Sequence, residues 1–82
     1  MTTRYTILLE YDADGHGYVV SVPTLPGCFS QGSTVPEAIE RAREAIAGHI
    51  LALAELGEPV PDEQVPPLTT FVEIDLLPLA GD

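Results

Sequence analysis

Lysine is absent from this chain of 82 residues, and three arginines (Arg4, Arg41, Arg43) stand against 13 acids, for a formal charge of −10. That shortage argues against nucleic acid as a direct partner. Gripping a phosphate backbone takes cationic side chains that displace counterions, and three guanidinium groups cannot form a basic stripe. A basic protein, in contrast, would be steered toward such a surface. Cysteine is scarce too: with Cys28 alone, no internal disulfide can form. There is no long charge-free apolar run and no signal-type N-terminus, so the chain is expected to be soluble and cytoplasmic. The length leaves no room for a second domain, and residues 1–82 are expected to form one unit. A domain of this size buries roughly 60% of the surface its unfolded chain exposes. Its stability margin is correspondingly small, and association with another subunit is a natural supplement.

Three stretches have the two-residue alternation of β-strands, or its β-branched composition. Thr3 to Tyr11 places Tyr5, Ile7, Leu9 and Tyr11 on one side and Thr6, Leu8 and Glu10 on the other. After the turn-rich DADGHG comes Gly17 to Val22 (GYVVSV), which makes a hairpin with the first strand. Pro23 and Pro26 then interrupt the ladder because neither has an N–H, and Gly27 supplies backbone freedom, leaving Cys28 to Gln31 as a short third strand. Thr69 to Leu77 (TTFVEIDLL) alternates again, with Val72, Ile74 and Leu76 against Phe71, Glu73 and Asp75, and is expected to be a fourth strand.

A helix lies between the third and fourth strands. Thr34 and Glu37 match a capping box, with the hydroxyl accepting from an early helical N–H and the carboxylate reaching back to the N–H of the cap itself. Pro36 falls in the first turn, where its missing N–H costs nothing. At 3.6 residues per turn, Val35, Ile39, Ala42, Ile46, Ile50 and Leu53 form a stripe for the core, while Glu37 and Arg41 pair on the other side. Toward Leu56 the helix is apolar nearly all round, which implies a second burial surface. Gly57 suits the position after the last turn, and the Pro-rich, acidic EPVPDEQVPP should be an extended loop. The resulting order is β-β-β-α-β, an α+β domain. Its mixed four-stranded sheet would have the helix on one face, seated by a right-handed crossover, and the other face open. That open face would carry either residues from Tyr5, Ile7, Leu9 and Tyr11 or the pair Leu8 and Val19, together with Phe71, and so invites a partner or a second copy of the chain.

Several residues could in principle carry chemistry. Cys28 would need a base to become a nucleophile, and nothing in the sequence brings His16 or His49 beside it, so it reads as a small buried hydrophobe. Glu10, Asp12, Asp14 and Gly15 resemble part of a calcium loop, but the pattern breaks at His16 and Gly17, and Asp and Gly are what a hairpin turn requires. Glu10, Asp12, Glu73 and Asp75, on neighbouring strands, could clamp magnesium in a nuclease, although a chain this acidic would hold nucleic acid poorly. No second ligand at metal-binding spacing accompanies either histidine, and the glycines form no phosphate-binding loop. No catalytic residue, metal or cofactor is expected.

The segment Gly17 to Ile46, GYVVSVPTLPGCFSQGSTVPEAIERAREAI, strongly resembles the N-terminal domain of HicB-type antitoxins. It has the motif residues in order: Val22-Pro23, Thr24, Leu25, Pro26-Gly27-Cys28, Gly32-Ser33-Thr34 and Glu37-Ala38. The preceding YTILLEYDADGHGYVV is similar to the first hairpin of the family. The resemblance implies a partial ribonuclease H-like fold without its catalytic carboxylates. It also implies a stand-alone binding module whose partner is a small basic mRNA-cleaving toxin of the HicA type. Full members add a C-terminal DNA-binding domain, and since this sequence stops at Asp82, operator binding is not carried over. Pro23, Pro26, Gly27, Cys28, Gly32, Thr34 and Glu37 would then be architectural. Asp12, Asp14, Phe71, Glu73 and Asp75 are the first residues to consider for partner contact. Two alternatives stay open, a homo-oligomer (dimer or tetramer) of another role and a metal-dependent nuclease.

Overall fold

The computed structural model describes residues 3–76. Three strands, β1 (Leu8–Asp12), β2 (Gly17–Ser21) and β3 (Phe29–Gly32), precede one helix, α1 (Val35–Glu55). The sheet order is β1-β2-β3 and both pairings are antiparallel. The expected mixed four-stranded sheet is not seen among the described residues. Residues 69–76 belong to no strand and are exposed throughout, and Leu77 lies outside the described residues. Alternation encodes a pleated, two-faced segment, but a strand also needs a neighbour to complete its ladder, and among the described residues no strand pairs with this segment.

The first hairpin closes where its turn residues predict. Asp12 accepts at one carboxylate oxygen from the N–H groups of Asp14 (3.1 Å) and Gly15 (3.0 Å), and His16 takes a positive φ of 67° as its N–H reaches the Asp12 carbonyl. Tyr11 and Tyr18 face each other across the ladder edge to face, with ring centroids 5.3 Å apart. At its other end β1 begins later than alternation alone suggests. Val22, opposite Ile7, points its N–H to the other side, at the Cys28 carbonyl 3.3 Å away, and the next position of β2 that would donate toward β1 is Pro23, which has no N–H to give.

Two consecutive turns carry the chain from β2 to β3. Leu25 N–H donates to Val22 O, and Cys28 N–H donates to Leu25 O, each at 3.0 Å. In the second turn Pro26 precedes Gly27 at φ 85°, the arrangement that requires glycine. The corner folds its apolar residues inward: Val22, Leu25 and Cys28 form one buried cluster, against which Tyr5, Ile7, Ala45 and Ile46 pack.

The N-terminus of α1 is capped by Thr34, whose hydroxyl accepts from Glu37 N–H at 3.2 Å. The Glu37 carboxylate reaches back one residue further than a standard box, accepting from Ser33 N–H instead of that of Thr34. The C-terminus closes with Glu58 N–H on Leu53 O and Gly57 N–H on Ala54 O, with Gly57 at φ 74°, a complete Schellman pair. The helix packs over β3 and β2, and the face it buries is rotated from the expected stripe. Ala38 and Ala42 are buried with Val20, whereas Val35 and Ile39 are each 39% exposed. The cause lies at Gly32, where a Cβ would stand 2.5 Å from the Ala38 nitrogen. At so close an approach the contact face must consist of small residues.

A candidate protein-docking surface

Antiparallel partners share a face of the sheet, so the register identifies what points away from the helix. Leu9, Val20 and Ser30 align, as do Tyr11, Tyr18 and Gly32. Since Val20 packs on Ala38 and Ala42, these rows face α1. The opposite face therefore carries the rows Leu8, Ser21, Phe29 and Glu10, Val19, Gln31. Of the two expectations for the open face, the pair Leu8 and Val19 is correct, because Tyr5, Ile7 and Leu9 are drawn into the helix-side clusters. Phe29, 64% exposed, is its largest apolar group and is absent from the sequence-based candidates. The signal was available: once the Pro26-Gly27 turn is placed, alternation along β3 puts Phe29 and Gln31 opposite Ser30 and Gly32.

The acidic candidates fall into two groups. Asp12 ends β1 and Asp14 lies in the hairpin turn that follows, where one Asp12 oxygen is committed to the turn. Phe71, Glu73 and Asp75 lie in the exposed segment after the helix, and Phe71 is 90% exposed. That segment is rooted at the opposite end of β1 through Glu63. One Glu63 oxygen accepts from the N–H of Thr6 at 2.7 Å and the hydroxyl of Thr24 at 3.1 Å, the other from the Thr6 hydroxyl at 2.6 Å. These bonds, led by the Thr6 hydroxyl and aided by the charge of Arg4, hold the Glu63 carboxyl below its usual range. Beside it the Tyr5 hydroxyl donates to the Pro61 carbonyl at 2.7 Å. Burial, then the charges of Asp62 and Glu63, push its pKa up. No local pattern marks Glu63, whose partners are 39 and 57 residues away in the chain.

Cys28 is 4% exposed inside its apolar cluster, and burial pushes its thiol pKa up, away from the thiolate a nucleophile needs. Among the described residues no group of three or more His, Cys, Asp or Glu side chains is placed to hold a metal ion. No helix there is long and apolar enough to cross a membrane. What the described geometry offers a partner is a three-stranded face carrying Leu8, Val19 and Phe29, with Glu10 and Asp12 on its β1 side, and an exposed apolar segment after the helix. By its architecture it is an α+β domain with one sheet face left uncovered by the helix.

Comparison with known proteins agrees. The family model described as a HicB_like antitoxin of bacterial toxin-antitoxin systems matches residues 5–76, and the chain belongs to that family. A UPF0150 protein of Thermoplasma acidophilum is 42% identical over 66 residues, covering 80% of this chain and 94% of the relative. The crystal structure of the Burkholderia pseudomallei antitoxin HicB superposes with a TM-score of 0.64 at 36% identity, covering 99% of this chain and 54% of that one. This chain thus spans about half the length of that antitoxin. The crystal structure of the N-terminal domain of the same antitoxin matches with a TM-score of 0.58 at 39% identity, over 90% of this chain and 75% of that one.

Proposed function

We infer that this chain is a non-catalytic antitoxin module, one that neutralises a small basic mRNA-cleaving toxin of the HicA type by covering it. The observation that carries the reading is the combination of family membership with an open sheet face whose apolar groups Leu8, Val19 and Phe29 have acids along the β1 side, on a molecule of charge −10. A surface of this kind attracts a cationic protein over long range and holds it through a few desolvated anchors. Phe29 joins Asp12, Asp14, Phe71, Glu73 and Asp75 as a contact residue, and its ring is the first anchor to test. The same reading takes residues 1–82 as a single cytoplasmic unit that acts as a homo-oligomer and needs no cofactor. The test is co-expression with a HicA-type toxin: growth is restored and the two proteins co-purify. The Phe29→Asp variant keeps its melting temperature and loses at least tenfold in affinity, a change of about 1.4 kcal/mol. If the wild-type chain neither restores growth nor binds the toxin, the reading fails.

A further inference from the structure

The segment after Glu63 extends from the body of the molecule. Val65, Leu68, Phe71, Val72, Ile74 and Leu76 are 60–91% exposed. The radius of gyration is 16.9 Å and the long dimension 56 Å, against 29 and 22 Å across. A compact chain of this length has a radius of about 12 Å. An alternating apolar segment left in water is a docking element without its site.

The same molecule has a site of matching form. Because α1 lies over β3 and β2, it leaves a groove of about 390 Å³ between its own flank and the residues leading into β1. Ile7, Ile39, Ala42, Ile46, Ala47 and Ile50 line it, and Arg4 and Arg43 stand at it. Among the described residues β1 pairs only with β2, and no strand lies on its outer edge. An open edge beside an apolar trough is what an added strand needs: backbone pairing along the edge and alternate side chains sinking under the helix.

We propose that residues 65–76 of one copy pair with the free edge of β1 in a second copy and fill its groove, and that the second copy returns its own segment, making a two-fold, arm-exchanged dimer. The arm supplies the fourth strand that alternation predicts, in trans. Charge selects a second copy over a basic partner. Two of the chain's three cations border the groove and would repel such a partner, whereas the residues the arm would sink into it, Val72, Ile74 and Leu76, are uncharged. The Glu63 clamp fixes where each arm departs, and the apolar residues Val65 to Leu76 beyond it are exposed instead of folded back onto their own chain. Exchange of identical elements needs no new surface and closes by symmetry. The proposal does not depend on the antitoxin reading, since its tests use this chain alone.

Light scattering on the purified full chain should give twice the 8.7 kDa chain mass, and the Val72→Asp/Ile74→Asp chain should fall twofold in mass while keeping its helical circular dichroism. Ala47→Cys, combined in turn with Val72→Cys, Ile74→Cys or Leu76→Cys and oxidised mildly, should yield a disulfide between chains. This second measurement decides the matter if the aspartate chain loses its helix. A wild-type chain at single-chain mass overturns the proposal. So does an aspartate chain that stays folded and dimeric, a disulfide closed within one chain, or no disulfide from any of the three pairs.

Discussion

Adding one methyl group at Gly32 or at Gly48 should move stability in opposite directions. At Gly32 an added Cβ would stand 2.5 Å from the Ala38 nitrogen, 2.7 Å from the Ala38 Cα and 2.9 Å from the Glu37 carbonyl carbon. All three are backbone atoms, so no rotamer change can make room. Ordinary contact begins near 3.4 Å, so the first turn of α1 must retreat by 3.4 − 2.5 = 0.9 Å. That movement opens the seam in which Val20, Ala38 and Ala42 are 0–1% exposed. Overpacking of this kind costs about 1–3 kcal/mol, and against rigid backbone the upper half of that range applies. Removing glycine also restricts the unfolded chain, which offsets about 0.4–1 kcal/mol. The net loss for Gly32→Ala is therefore about 1–2.5 kcal/mol, a fall in melting temperature of about 4 °C or more for a domain of this size. Gly48 lies within α1 with nothing inside 4 Å of the added atom, so Gly48→Ala should gain up to about 1 kcal/mol. Thermal melts at one fixed protein concentration read both. If Gly32→Ala melts at or above the wild-type temperature, the close helix-to-strand contact described above is wrong.

Two further outcomes can be checked on the same protein. The Glu63 carboxyl titrates below its usual carboxylate range in the folded chain, so its contribution to stability is fully present above the unfolded-chain value and is lost as pH falls through the depressed folded value. Glu63→Gln should flatten the acid limb of melting temperature against pH, and an acid limb identical to wild type would count against the clamp. The thiol of Cys28, buried and with its pKa raised, should react slowly with an aromatic disulfide reagent in the native state and rapidly in urea. Fast reaction without denaturant would show that the corner is more open than its packing indicates.

Much of the fold was legible because its signals are local. Thr34, Glu37 and Gly57 bound the helix through bonds spanning a few residues, and the Pro26-Gly27 turn follows from the backbone limits of those two residue types. The hairpin follows from Asp12 to Gly17 in the same way. The rotation of the helix face was not legible, because a hydropathy stripe ranks Ile39 above Ala38, while a close approach at Gly32 rewards the smaller side chain. The fourth strand misled for a different reason: alternation in Thr69 to Leu77 specifies two faces and is silent on which chain provides the neighbour. At the docking surface, Leu8 and Val19 were within reach of pattern reading. Phe29 needed the register of β3 and Glu63 needed tertiary contacts, which no spacing rule expresses.

One carboxylate joins three remote parts of the polypeptide: the lead into the first strand, the corner after the second, and the stretch beyond the helix. Fraying from either end of the body must therefore break the same knot. The backbone amide of Thr6, held by Glu63, becomes a reporter whose exchange with deuterated solvent registers loosening at positions more than fifty residues apart. Both ends should let go together.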